Sequence, residues 1–207
     1  MLRAAMGEIS SGERRAWELL AARKPEHVCA RAAVEFDLST GRYLVPSFGR
    51  IFSIDPVKRQ ILGREPGDTA FLDRATGFLR LSLLWYLVKA APARPSGMLV
   101  NPTSLSGGEL FSKGTHVLPL DQLAAVYATR PETFLAAGAA LGGRQVAYGD
   151  AAAELPALPK VPVTLILWTE DDEFPARADL LFDATCSAHL PIDVLWSVAL
   201  HAVQVFL

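Results

Sequence analysis

Four consecutive carboxylates, Glu170, Asp171, Asp172 and Glu173, are the residues whose types and spacing come closest to chemistry. Carboxylate oxygens bind hard cations such as Mg²⁺ or Ca²⁺, and neighbouring carboxyl groups can share one proton for acid–base work. Both uses require the side chains to converge, whereas consecutive residues of a strand point to alternate faces, and the chain lacks the Asp-x-Asp-x-Asp-Gly spacing of a calcium loop. We interpret the run as a solvated hairpin tip, and as its functional alternative a docking surface for a basic partner.

Two pairs of thiol and imidazole side chains could bind a soft or borderline metal ion: His27 with Cys29, and Cys186 with His189. Together they would supply two sulfur and two nitrogen ligands. Their spacings match no zinc-finger signature, and cysteine is commonly buried as a small apolar residue, so a metal site is not favoured. A small metal-dependent enzyme that uses these four residues is the alternative hypothesis. A cysteine nucleophile would need a base that the fold brings to it.

The other sequence signatures of catalysis are missing. The glycine-containing segment from Ser104 to Glu109 has neither the G-x-x-x-x-G-K-[ST] pattern of a phosphate loop nor the G-x-G-x-x-G turn. There is no G-x-S-x-G elbow and no H-E-x-x-H helix. The sequence therefore supports no recognised catalytic constellation and indicates no cofactor.

Composition indicates a folded protein without a strong global field. The 207 residues are 51% hydrophobic and 20% charged, and the formal net charge is -2, so nucleic acid is not an expected partner. The charge is uneven: residues 161–191 carry six acids against Arg177 alone, a local balance of -5. We expect a charge-guided partner of that region to be cationic.

Location is also constrained. Two cysteines are too few for a disulfide scaffold, and the N-terminal residues lack the apolar core of a signal peptide. We therefore expect the protein to be located in the reducing cytoplasm. The apolar stretches Leu81 to Val88 and Ile192 to Leu207 fall short of the roughly 20 residues of a spanning helix, so no membrane association is expected.

The stretch from Val161 to Pro191 predicts a β-hairpin with an acidic tip. One apolar run ends at Trp168, Phe174-Pro175 turns the chain, and a second apolar run ends at Asp183. A smaller antiparallel meander is predicted from Tyr43 to Leu62, with turns at Pro46-Ser47 and Asp55-Pro56.

Periodicity predicts the remaining elements. Helices are expected at Glu13 to Ala22, Glu26 to Glu35, Thr69 to Ala90 with Asp68 as its cap, Leu120 to Ala128, Pro131 to Leu141 and Ile192 to Phe206. Strands are expected at Met98 to Asn101, Arg144 to Tyr148, Val163 to Trp168 and Asp179 to Phe182, and Leu155 to Pro162 is expected to be an interior loop. Hairpin-spaced strands with helices between them favour one α+β domain over residues 1–207, with antiparallel sheet packed on a central buried helix and a C-terminal helix.

Several segments together resemble the prokaryotic domain-of-unknown-function family 3786. They are P-E-H-V-C-A-R-A-A-V-E-F-D at 25–37, Y-L-V-P-S-F-G-R at 43–50, L-S-G-G-E-L-F at 105–111, A-A-L-G-G-R at 139–144, and V-P-V-T-L-I-L-W-T-E-D-D-E-F-P-A with the following L-F-D-A at 161–184. The resemblance covers nearly the whole chain and implies no established activity. Some members of that family look fused to an iron-sulfur cluster domain, which implies redox or corrinoid metabolism; this chain lacks a cysteine cluster and would need such a partner in trans.

Our first hypothesis is a non-catalytic binding module that docks a redox, iron-sulfur, corrinoid or related tetrapyrrole-handling protein. The contact is expected at Trp168, Asp172, Glu173 and Phe174, with the aromatic rings as anchors and the acids as a steering rim. The small metal-dependent enzyme described above is the alternative.

Overall fold

Two antiparallel sheets form the framework of the computed structural model, which describes residues 11–112 and 116–207. The first sheet has the order β1-β2-β3-β4 and the second has the order β5-β9-β8-β7-β6. The strands are β1 (Glu35–Asp37), β2 (Arg42–Ser47), β3 (Arg50–Asp55), β4 (Gln60–Gly63), β5 (Leu99–Val100), β6 (Arg144–Gln145), β7 (Ala151–Leu158), β8 (Val161–Trp168) and β9 (Arg177–Asp183). The first ten residues, on which the leader expectation rests, lie outside the described residues.

The meander is confirmed, but one of its turns is shifted. The β2–β3 turn consists of Phe48 and Gly49, both with left-handed φ angles of 48° and 71°, and not of Pro46-Ser47. Pro46 lies inside β2 because β1 pairs only with Arg42 to Leu44, so β2 is an edge strand at the proline. The second predicted turn is correct, since β3 ends at Asp55.

The predicted hairpin is confirmed as β8 and β9, which pair from Val163 with Phe182 to Trp168 with Arg177. The prediction of a loop at Leu155 to Pro162 is wrong, because β7 continues to Leu158 and β8 begins at Val161. The loop was predicted because this stretch is rich in proline, with Pro156, Pro159 and Pro162. The ladder has a register shift between Leu155 and Leu158, and a proline at such an irregularity does not interrupt regular pairing.

The single helix predicted from Thr69 to Ala90 is wrong. The chain forms α3 (Asp68–Asp73), a 3-10 turn (Arg74–Gly77) and α4 (Phe78–Lys89), and the break ends at Gly77, whose φ is 76°. Asp68 caps neither helix, since its carboxylate accepts the backbone N–H groups of Arg64 and Glu65, which precede it. The break separates the buried central helix α4 from a short helix beside the first sheet.

Five further helices follow the sequence predictions to within a few residues. They are α1 (Ser11–Ala21), α2 (Pro25–Ala32), α5 (Leu120–Tyr127), α6 (Pro131–Ala140) and α8 (Ile192–Gln204). The short helix α7 (Cys186–His189) was not predicted. Within the described ranges, none of these helices combines the length and hydropathy that a bilayer span requires.

One hydrophobic core contains residues from both sheets and from the helices between them. Ser47 Oγ of the first sheet donates to Ala157 O of the second at 2.6 Å, and Phe48 N donates to Pro156 O at 2.8 Å. Helix α4 and helix α8 contribute the longest buried helical faces. The α+β class, with antiparallel sheets packed on a buried central helix and a C-terminal helix, is therefore confirmed.

Candidate functional site

The acidic residues lie in a loop, residues 169–176, that connects β8 to β9. Its first two residues, Thr169 and Glu170, are fixed to the body of the protein. Thr169 donates through its backbone N–H and its hydroxyl to Asp150 Oδ2, at 2.8 and 2.9 Å, and Glu170 N donates to Ala128 O at 3.0 Å. The β6–β7 connection and the end of α5 therefore hold the loop at its base.

Within this acidic loop, Asp171 has a structural role. Its Oδ1 accepts the backbone N–H groups of Glu173 at 2.9 Å and of Phe174 at 2.7 Å, and its own N–H donates to Phe174 O at 3.0 Å. The acids lie at the tip of the hairpin, as expected, and these hydrogen bonds close a turn there, so the alternation of side chains along a strand does not apply to them. One carboxylate orders the turn and leaves the others to face solvent.

The four residues predicted to contact a partner differ in how far their side chains are exposed to solvent. Asp172 and Glu173 are exposed, and the Phe174 ring is 66% exposed, which is unusual for a large aromatic side chain. Trp168 is only half-buried, but the Arg177 guanidinium lies over its ring at 4.0 Å from the centroid. Phe174 is therefore the free aromatic group of the loop, while Trp168 and Arg177 form a stacked pair at its base.

The first predicted metal-ligand pair lies on α2 and is not built like a metal site. His27 is exposed, and Cys29 is half-buried. Burial raises the pKa of the Cys29 thiol, and the carboxylates of Glu26 and Glu35 raise it further. A thiol with a raised pKa is a poor source of the thiolate that binds metal ions.

The second pair lies on the short helix α7 and is fully buried. Burial raises the pKa of Cys186. Burial and the nearby Lys160 charge lower the pKa of His189, whose Nδ1 accepts Ala91 N–H at 3.2 Å. Nε2 then carries the proton of the neutral ring. Within residues 11–112 and 116–207, no group of three or more His, Cys, Asp or Glu side chains is arranged to hold a metal ion.

Two buried charges that were not predicted from the sequence organise the loops around α7. Lys160 Nζ, almost fully buried, donates to the carbonyls of Arg31 at 2.6 Å and Ala91 at 2.9 Å. Asp183, also buried, accepts the backbone N–H groups of Ser96, Gly97 and Thr185 at 2.7 to 3.0 Å. Burial alone would raise the pKa of Asp183, but these hydrogen bonds outweigh it and lower the pKa to about 2.

The sequence near Asp183 weakly indicates its hydrogen bond to Thr185 N–H, since Asp followed by Thr two residues later is typical of an Asx turn. No local signal existed for Lys160, whose carbonyl partners Arg31 and Ala91 are 129 and 69 residues away in the chain.

Comparison with known proteins gives one result. A family model described as "Domain of unknown function (DUF3786)" matches residues 24–205. No curated protein and no solved structure matches the chain. The resemblance found on sequence motifs is confirmed over nearly the full length.

Proposed function

This chain belongs to the DUF3786 family of unknown function, and we propose that it is a non-catalytic binding module whose acidic loop, residues 169–176, docks a basic surface of a partner protein. The observation that carries the proposal is the exposed Phe174 ring beside the exposed carboxylates of Asp172 and Glu173, on a turn that Asp171 holds closed.

Pre-ordering of the loop supports a binding role. A loop that is already hydrogen-bonded in the free protein loses less conformational entropy when a partner immobilises it, and this cost is about 0.5–1.5 kcal/mol per immobilised side chain at interfaces. Asp171 and Asp150 accept from backbone N–H groups at both ends of the run. The loop therefore presents its tip in a defined shape.

The composition of the tip supports a basic partner with an apolar pocket. Buried aromatic side chains are the commonest anchors of interfaces, and charged residues around them steer the encounter more than they add affinity. Phe174 supplies the anchor, and Asp172 and Glu173 supply the charge. The Arg177 cation at the base is directed at the Trp168 ring and does not form an ion pair with these acids in the described part of the chain.

The partner class in the proposal is a redox, iron-sulfur, corrinoid or tetrapyrrole-handling protein in anaerobic metabolism. This part rests on the domain fusions that the family resemblance implies, and the loop geometry adds only that the contact surface of such a partner is basic.

The test is affinity capture from a native, anaerobic extract with the wild-type protein and with Asp172→Lys combined with Glu173→Lys. We expect the proteins retained by the wild type to include one with a basic surface whose capture falls about tenfold with the double variant at low salt. Capture should also weaken as ionic strength rises, because salt screens exposed charges; the screening distance, the Debye length, is about 10 Å at 0.1 M. Phe174→Ala should reduce capture at every salt concentration.

The control is Glu26→Lys combined with Glu35→Lys, which makes the same change in net charge at two exposed carboxylates near α2. A partner lost equally with both double variants responds to net charge alone, and the docking surface is then misplaced. Unchanged capture with the loop variant would have the same consequence.

A further inference from the structure

Arg50, which directly follows the β2–β3 turn, has a fixed orientation. Its Nη1 donates to Asp68 Oδ1 at 2.5 Å, and its guanidinium carbon lies 4.4 Å from the centroid of the Phe71 ring. An arginine held by both a carboxylate and an aromatic face has lost most of its side-chain freedom before any ligand arrives.

Asp68 is itself fixed by the backbone. Its Oδ2 accepts the N–H groups of Arg64 and Glu65, both at 2.9 Å, and its side chain is 1% exposed. Burial would raise the pKa of Asp68, but the hydrogen bonds from Glu65 N and Arg50 outweigh it and the pKa lies below its ordinary value. Asp68 is therefore an ionised positioning group for Arg50.

One edge of the Arg50 guanidinium is not used. Asp68 takes Nη1 alone, whereas the edge formed by Nε and Nη2 is the one that can bind an oxyanion through two parallel hydrogen bonds. Among the described residues, Nε has no acceptor although it is buried. A buried N–H without an acceptor costs stability, so an acceptor at this edge would stabilise the protein, and because Nε is shielded from solvent a ligand reaches it only once neighbouring side chains move aside.

This arginine lines an open cleft of about 380 Å³, which is within the range of small-ligand sites. Its walls are formed by residues from the first sheet, the segment before α3 and the end of α6: Gly49, Arg50, Ile51, Arg64, Glu65, Asp68 and Ala140. Arg64 supplies a second cation whose side chain is exposed. Neither Arg64 nor Glu65 has a side-chain ion pair within the described ranges.

Two segments that carry the family resemblance meet at this cleft, and the proposed docking function uses neither. The segment 43–50 supplies Gly49 and Arg50, and the segment 139–144 supplies Ala140. Their backbones touch, since a Cβ on Gly49 would lie 3.0 Å from Gly142 N. This contact brings the end of α6 up to the turn that positions Arg50.

We propose that the cleft between Arg50 and Arg64 binds a small ligand through a carboxylate or phosphate group, with Arg50 as the oriented donor and Arg64 as the second cation. Glu65 lines the same cleft, and its negative charge opposes an anion there. Removing that charge strengthens binding, and removing the Arg64 charge weakens it.

The test is a titration of the isotope-labelled full-length chain with inorganic phosphate and, separately, with acetate, followed by NMR signals of the Arg50 side chain and the Gly49 and Glu65 amides. We expect saturable shifts at these groups with a Kd on the order of millimolar, a typical affinity for a probe with few contacts. Shifts with only one probe assign the ligand group to that class. Absence of saturable shifts with both probes would overturn the proposal.

Arg50 itself is unsuitable as the test variant, because its removal leaves Asp68 buried without its ion-pair partner. Arg64→Gln and Glu65→Gln keep the backbone N–H groups that hold Asp68. We expect about a fivefold or larger loss for Arg64→Gln and a gain for Glu65→Gln, because the Arg64 charge attracts an anion and the Glu65 charge repels it.

Lys58→Gln, in the β3–β4 turn and outside the cleft lining, is the control for net charge. An equal loss with Lys58→Gln and Arg64→Gln would show that the probes respond to net charge, and the cleft would not be the site. This result is independent of partner capture by the acidic loop.

Discussion

Asp171 and Phe174 are hydrogen-bonded to each other in both directions: Asp171 N–H donates to Phe174 O at 3.0 Å, and Phe174 N–H donates to Asp171 Oδ1 at 2.7 Å. The residue that carries the exposed aromatic ring is thus held by the first aspartate of the acidic run. Asp171 therefore orders the loop, while Phe174 supplies its exposed aromatic ring.

Asp171→Ala should therefore loosen the loop without unfolding the protein. We expect the amide hydrogens of Glu173 and Phe174 to exchange about fivefold faster, because a net hydrogen bond contributes about 1 kcal/mol and exchange follows the local opening free energy. Hydrogen exchange followed by NMR measures this. Asp172→Ala removes the same charge from a side chain that makes no hydrogen bond within the described residues, and equal acceleration in both variants would contradict the structural role of Asp171.

The contact of Gly49 with Gly142 predicts a stability difference between two glycines of similar backbone conformation. Gly49 has φ +71° and a Cβ there would lie 3.0 Å from backbone atoms of Gly142 and Leu141, whereas Gly41 has φ +68° and nothing within 4 Å. Gly41→Ala should cost about 1 kcal/mol for the left-handed backbone alone.

Gly49→Ala adds an overlap with backbone atoms, which cannot move aside as a side chain can, and should cost about 1–3 kcal/mol more. Urea denaturation of both variants measures the free energies of unfolding. Equal losses would mean that the β2–β3 turn and the end of α6 are not in close contact.

His201 predicts how stability changes with pH. Burial lowers the pKa of His201 to about 4; the Arg74 backbone opposes this shift and the Arg74 guanidinium adds to it. In the unfolded chain the imidazole binds a proton near its ordinary value of 6.5, so it binds more protons than the folded state between those pH values. This contribution to the free energy of unfolding is complete above pH 6.5 and is lost as pH falls toward 4, by at most about 3 kcal/mol.

We expect the wild-type free energy of unfolding to fall by at least about 1 kcal/mol between pH 7.5 and 5.5, before the carboxylates titrate. His201→Leu keeps an apolar side chain against Phe48 and Phe71 and should reduce that fall. Urea denaturation at the two pH values is the measurement, and His27→Leu, at an exposed site, is the control. An identical slope in the wild type and His201→Leu would show that His201 is not the titrating group.

Local patterns predicted those parts of the fold that local interactions decide. The β8–β9 hairpin was predictable because two apolar runs flank a Phe-Pro turn, and α6 because Pro131 can start a helix and Gly142 follows its end.

β7 was missed because Pro156 is tolerated only at a register irregularity that pairing with β8 creates. The roles of Asp68 and Lys160 depend on groups that approach only when the chain is folded. The exposed acids and Phe174 could be picked out from the sequence, but the closing role of Asp171 required the turn geometry.

The two cysteines should differ in their reaction with a thiol reagent. Cys186 is fully buried and Cys29 is half-buried on α2, and burial raises the pKa of both thiols. Because the thiolate is the reactive form, both should react slowly in the native protein near pH 7, and Cys29 should react before Cys186. Labelling with iodoacetamide, followed by peptide mass spectrometry with and without urea, measures each site. Cys186 should become modified only after unfolding. Rapid labelling of Cys186 in the native protein would show that its thiolate is accessible. That result would favour the alternative hypotheses, a metal-dependent enzyme or a cysteine nucleophile, over a buried structural cysteine.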